Sequence, residues 1–345
     1  MASVGEYLII FAQVGYASTG EFSKLWSYNT ITGVWSRHKK PIEIKFSRLP
    51  HWICKLGDLV YMFGGQIVGC RNYREYITSV VSFDITHDKW STVYTRADNY
   101  GDDDDGDDDD DDPPEMELSL LFYHCGSLYI QGKIDEYENL CGMYKFCLET
   151  SKWSLVPQNG QTPRFKYIVH GTVYNNQLYC FGKRRGVTNG FREIPIFDFT
   201  TNTWTTRATI AKNQQYPDDR AAASYTFWEN FAYMSGGIVG DSRSVSDIWR
   251  MDLETLEWLK LDVSLQTGEY HHLMSVVDDC YLYSFGANGQ GLDFFDKFER
   301  FTLRPPSLYL LSLETVCRSP NMSSLISSLP SDIVDKHKLN DNNSS

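Results

Sequence analysis

Three observations predict an all-β fold, a propeller of six sheets with a short helical tail. Five tryptophans, Trp35, Trp90, Trp153, Trp204 and Trp258, recur at near-even spacing. Each closes the same short phrase: YNTITGVW, FDITHDKW, FCLETSKW, FDFTTNTW and MDLETLEW. Alternating apolar segments, several ending in glycine, precede each phrase. Self-similarity at a period of about fifty residues marks an array of supersecondary units whose neighbours bury one another.

Each unit reads in the same order. An alternating strand comes first, then a second strand ending in glycine, a variable loop, a third strand, a tight turn, and a fourth strand opened by the Trp. In the second unit these are FSRLPHWICKLG, LVYMFGG, VVSFDI and KWSTVY. In the fifth they are AAASYTFWEN, FAYMSGG, DIWRMDL and EWLKLDV. Gly64-Gly65 and Gly236-Gly237 suit a sharp turn with a neighbouring sheet close by, where a Cβ would clash. The same place reads Gly132-Lys133, Gly182-Lys183 and Gly286-Ala287 in other units. The Trp is expected to wedge one sheet onto the next.

The units fall at about 5–40, 44–95, 115–157, 161–210, 217–263 and 268–304, within a propeller spanning 1–305. The sixth, with LMSVVDD, CYLYSFG and FERFTL, has no Trp. The first opens on LIIFAQVG, already a second strand. Residues 1–5 are a degenerate first strand, or a borrowed strand closes the ring, or the chain is shortened. Four antiparallel strands per repeat match the kelch type of blade.

Composition limits the function. The formal charge of −13 is dominated by ten Asp at 102–105 and 107–112; without them 35 acidic residues face 32 basic ones. A nucleic-acid-binding face is therefore not expected. The stretch 98–115 cannot bury apolar surface and repels itself, so disorder is expected there. Contiguous Asp lacks the spaced ligands of a calcium loop. The eight cysteines are scattered without a CxxC pair, which argues against zinc and redox motifs. No apolar run approaches membrane length, and MASVGEYLII lacks a basic signal-peptide start. Reduced thiols and a cytoplasmic or nuclear location are the expectation. No nucleophile elbow, phosphate loop or metal-ligand pair is present, and His271-His272 on a strand would point apart. No catalytic residue, metal or cofactor is expected.

After Pro305-Pro306 the pattern changes. Residues 307–317, SLYLLSLETVC, place Leu308, Leu311 and Thr315 on one helical stripe and Leu310, Leu313 and Cys317 on another. A Ser/Asn-rich gap follows. LPSDIVDKHKL, 329–339, reads as a second short amphipathic segment, and the close of the 306–345 tail, LNDNNSS, as a frayed end.

The blades followed by PPSL, a helix and LPSDI resemble the kelch-domain-containing substrate receptors of cullin-2 ubiquitin ligases, over about residues 5–339. The resemblance implies a non-catalytic adaptor. Its tail would hold a BC-box for elongin B/C and a cullin box for cullin-2. One register uses Ser307-Leu308 and Val316, with Ser312 in place of Cys. The other uses Ser312-Leu313 and Cys317, with Asn321 in place of an aliphatic residue. PSL at 306–308 favours the first. Leu329-Pro330 with Ile333 fits the cullin box. The resemblance also implies recognition of glycine-ended substrate C-termini on the loop face. PDDR and VSDIW then assign the carboxylate clamp to Arg220 and Ser246, with Arg192 of GFREIPIFDF as a weaker third. An Arg fork suits a carboxylate. Arg220 beside Asp218 and Asp219 also reads as a surface ion pair, and Ser246 as a turn cap. The alternative function is a kelch scaffold or cytoskeletal interaction module with no ligase link.

Overall fold

The computed structural model describes residues 1–12, 24–39, 52–63, 66–68, 74–76, 79–95, 113–114, 117–133, 140–166, 168–286 and 297–337. The acidic stretch expected at 98–115 lies outside them, apart from Pro113 and Pro114, as does Gly64-Gly65.

Six antiparallel meander sheets follow one another in chain order. The first is Ala2–Val4, Tyr7–Ala12, Lys24–Asn29 and Trp35–His38. The second is Trp52–Leu56, Leu59–Phe63, Val80–Asp84 and Lys89–Tyr94. Glu117–His124, Ser127–Lys133, Leu140–Cys147 and Lys152–Val156 form the third. His170–Tyr174, Gln177–Phe181, Glu193–Asp198 and Thr203–Ala208 form the fourth. The fifth is Ser224–Trp228, Phe231–Ser235, Asp247–Asp252 and Glu257–Ser264. The sixth has three strands among the described residues: Leu273–Val277, Tyr281–Gly286 and Lys297–Thr302.

The tight turn between third and fourth strands has one chemical device. The carboxylate or amide oxygen of Asn29, Asp84, Asp198 and Asp252 accepts the backbone N–H groups two and three residues on. This Asx geometry turns the chain without spending a ladder hydrogen bond. In the third unit Cys147 holds the same place. Hydrogen bonds from the Thr150 hydroxyl and amide and the Glu149 amide hold its thiol below the usual range.

The tryptophans pack backwards. Trp258 joins Tyr179, Phe181, Ile194 and Ile196 of the fourth sheet. Trp204 packs with Leu120, Phe122 and Met143 of the third, and Trp153 with Tyr61, Phe63 and Val80 of the second. Trp90 packs against Val4, Ile9, Phe11 and Leu25 of the first. Two links add hydrogen bonds to the apolar contact: Trp258 Nε1 donates to the Phe191 carbonyl at 3.1 Å and Trp204 Nε1 to Gln158 Oε1 at 2.8 Å. Burial of each such ring stabilises a seam by about 2–3 kcal/mol.

The same rule closes the ring. Trp35 lies 5.4 Å from Phe298 and 6.1 Å from Phe285, both in the sixth sheet. Residues 1–5 do hold a strand: Ala2–Val4 pairs with Tyr7–Ala12 and lies beside the innermost strands of the second and sixth sheets. The degenerate first strand is therefore present. Three residues are too few to show alternation in sequence.

The tail forms three helices: α1 (Leu308–Cys317), α2 (Met322–Ile326) and α3 (Ser331–Lys336). Ser307 caps α1, its Oγ accepting the Leu310 N–H at 3.1 Å. The Ser/Asn-rich gap is thus not a plain linker, because α2 lies in it and buries Ile326. Leu313, Cys317, Ile326 and Val334 close a small core over Ile31, in the outer turn of the first sheet. Arg318 donates to the Ile31 carbonyl at 3.0 Å and to the Thr30 carbonyl. Arg300 of the sixth sheet pairs with Glu314 at 3.1 Å. The tail therefore spans the seam between sixth and first sheets.

Candidate functional site

In the fourth and fifth sheets, the antiparallel strand order puts the connections between second and third strands at the same end as the connections from one sheet to the next. Above the fifth sheet this end is built from Arg220–Ala221, Ile238–Val239 and Arg243–Ser244, which pair as a small antiparallel ribbon. Gly236 and Gly237, at φ +63° and +99°, turn the chain into it. A Cβ on Gly237 would stand 2.9 Å from the Ala221 carbonyl oxygen, and one on Gly236 would strike the Glu269 backbone. The close approach read from the glycine pair is present here.

Arg220 is placed differently from its expected role. Its side chain has no exposed surface. The guanidinium donates to both carboxylate oxygens of Asp247, at 2.6 and 3.1 Å, and to the carbonyls of Gly236 and Asp218, both at 3.0 Å. The carboxylate it grips is thus its own chain's. Trp249 Nε1 adds a hydrogen bond to Asp247 at 2.6 Å. Burial opposes the charge on Asp247, but Arg220 and the indole N–H outweigh it and hold the carboxyl below the usual carboxylate range. A peptide carboxylate would have to displace this pair to reach Arg220, so neither the clamp nor the surface ion pair describes it. The partner went unread because ion pairing across a sheet leaves no periodicity. The available signal was an Asp directly after Ser246.

Ser246 is half-buried beside that pair, its carbonyl accepting the Leu265 N–H at 2.8 Å. Arg192 is exposed at the end of a short 3-10 turn, with its guanidinium 4.5 Å from the Tyr216 ring. All three residues lie at the loop end, and the donors of Arg220 are taken by Asp247 and two backbone carbonyls.

The histidines take opposite environments. His271, at φ +55°, is exposed. His272 is buried, its Nε2 2.6 Å from Ser235 Oγ. Burial, then the nearby His271 and His170, push its pKa down to about 3. His170, 5.0 Å from the Tyr225 ring, is pushed down to about 4, chiefly by burial. Among the described residues no cluster of His, Cys, Asp or Glu is arranged to hold a metal, and no helix is long and apolar enough to cross a membrane.

The tail residues divide into two sets. Leu308 is 82% exposed, and Tyr309 and Leu311 are exposed with it. Ser307, Ser312 and Pro330 are also exposed. Cys317 is buried, and Val316, Leu329 and Ile333 are half-buried in the core over Ile31. The stripe Leu310, Leu313, Cys317 faces the propeller, and the stripe Leu308, Leu311, Thr315 faces out. In the second register the leading Leu313 is covered; in the first, Leu308 is bare.

Residues 110–315 match the family described as the KLHDC2/KLHL20/DRC7 Kelch-repeats domain. The chain belongs to the kelch-repeat family. Among similar proteins, the kelch chain is 23% identical to Kelch domain-containing protein 10 of Homo sapiens over 280 residues, 77% of this chain and 58% of that protein. The Kelch domain-containing protein 10 homolog of Drosophila melanogaster is 25% identical over 309 residues, 80% of this chain and 47% of that one. Kelch domain-containing protein 3 of Rattus norvegicus is 23% identical over 236 residues, 66% and 56% respectively. The chain thus spans less than two thirds of the length of these relatives. The family supports a protein-interaction propeller.

Proposed function

We propose that this kelch propeller is a substrate-recognition adaptor. Its loop end takes the C-terminal segment of another protein, and its tail carries that protein to elongin B/C and cullin-2. The observation that carries the reading is the two-sided α1. One stripe anchors the helix to the propeller, and the other leaves Leu308 and Leu311 exposed, with the partly covered Tyr309 beside them. Exposed large apolar residues in one stripe on an otherwise docked helix suit insertion into a partner's groove. The assignment of that partner rests on the BC-box resemblance in the Ser307-Leu308 register.

On this reading Arg220 supports the loop end through Asp247, while Ser246 and Arg192 remain for a bound peptide. The test is copurification of the full chain with elongin B/C and cullin-2, together with binding of glycine-ended peptides as free acid and as C-terminal amide. Copurification and a preference for the free acid support the adaptor. Failure of the wild-type chain to hold elongin C contradicts the ligase link.

The second reading, a scaffold without a ligase link, is favoured by the tail's role over Ile31. A helix that seals a seam has a structural purpose of its own. A partner that stays bound after removal of 307–345, without elongin, would support it.

A further inference from the structure

A half-open cavity of about 20 Å³ lies at the seam between the fourth and fifth sheets, beside the connection from second to third strand of the fourth. Its walls are apolar: Phe181 and Ile194 from the fourth sheet, Met251 and Trp258 from the fifth, all buried. Gly182 and Gly190 line it without a side chain. The space admits one water-sized group and excludes a ring.

Arg184 supplies the polar wall. Its side chain is only 9% exposed. A guanidinium carries five N–H donors. Here only Nη2 is engaged, by long bonds of 3.3 Å to Glu193 Oε2 and 3.5 Å to the Gly190 carbonyl. Nε and Nη1 have no acceptor among the described residues, yet neither is sealed from solvent. Their donors open on the cavity. Arg220 is the closed form of the same pairing, with Asp247 on two nitrogens at 2.6 and 3.1 Å. Glu193 is 54% exposed and touches a single nitrogen, so it leaves water only in part. A covered guanidinium offset this weakly keeps its attraction for an anion.

We propose that the cavity is a carboxylate subsite. An incoming carboxylate displaces Glu193 from Nη2 and takes a neighbouring guanidinium nitrogen as well, so that two parallel bonds replace a single long one. Glu193 turns back to water, and the apolar walls cover the ligand's aliphatic stem. The surroundings select a monoanion. Glu193 stands at the rim, and Asp219, paired with Lys183, lies 3.7 Å from the place of a Cβ on Gly190. Two carboxylates so close repel a phosphate more strongly than a carboxylate. An acidic side chain of a bound protein segment and a free small carboxylate share the required chemistry. The site uses neither Arg220 and Ser246 nor the tail, so it stands or falls apart from the adaptor reading.

The experiment is NMR of the arginine Nε–H groups in the isotope-labelled full chain at constant ionic strength. The Arg184 resonance is the one absent from Arg184→Lys. The probes are acetate, its neutral isostere acetamide, inorganic phosphate, and the blocked tripeptide acetyl-Ala-Glu-Ala amide. Acetate should shift the Arg184 resonance saturably, with a Kd of about 1–10 mM for a ligand of so few atoms, and acetamide should leave it in place. Glu193→Gln, a change on an exposed side chain, should tighten acetate about threefold by removing the rival carboxylate, and this arm needs no folded Arg184 variant. Tighter binding of the tripeptide than of acetate assigns the site to a protein segment, and binding no tighter assigns it to a free carboxylate. Acetamide or phosphate binding as tightly as acetate, no shift by either carboxylate up to about 0.1 M, or no tightening in Glu193→Gln overturns the inference.

Discussion

Arg220 shows how one residue type can serve two opposed purposes. A fork of donors suits a ligand's carboxylate, yet here it meets Asp247 in a bidentate pair, the guanidinium fully covered and the carboxylate partly exposed. Removing one partner of a buried pair leaves a charge with nothing to offset its desolvation. Arg220→Ala should therefore lower the unfolding free energy by about 3–5 kcal/mol, read by chemical denaturation. Unchanged stability with lost peptide binding would return Arg220 to a ligand role. Cys147 gives a second case. Four turns use an Asp or Asn oxygen to accept two amides, and the third uses a weaker sulfur acceptor. Cys147→Asp should raise the melting temperature, and a fall would show that the third turn differs in more than its acceptor. Both contacts lie within quoted sequence phrases. The turn device repeats along the chain and can be read there; the Arg220–Asp247 pair joins residues 27 apart and exists only after the sheet forms.

Among the elements, the strands were legible because their period and their Trp recur. Ala2–Val4 and α2 were not. The first is three residues long, and α2, MSSLI, buries only Ile326, so neither carries a pattern of its own. Residues 307–317 carried two apolar stripes that sequence could not rank, and packing separated them. The inward stripe seals the sixth sheet to the first. Leu313→Ala should cost about 2–4 kcal/mol, since it opens a cavity beside Ile31, and loss of 307–345 should lower the melting temperature of the propeller. A truncated chain that melts with the full chain would mean that Trp35 and Ala2–Val4 hold this seam without help.

At the scale of the whole molecule, the proposed adaptor has two ends with separate tasks. On the proposed function, the loop end built on the Arg220–Asp247 pair would take a peptide. The tail, anchored by one stripe, would take a second protein. The six-sheet ring was legible from repeats alone. The division of labour along α1 was not, because burial depends on the distant turn at Ile31. The central claim is that the outward stripe is an elongin-binding surface. Calorimetric titration of elongin B/C into the purified full chain, wild type and Leu308→Arg, with melting temperatures of both, tests it most directly. The account predicts saturable binding by the wild type, none by Leu308→Arg, and matching melting temperatures, because Leu308 is 82% exposed. Absence of binding by the wild type, or equal binding by both proteins, would contradict it.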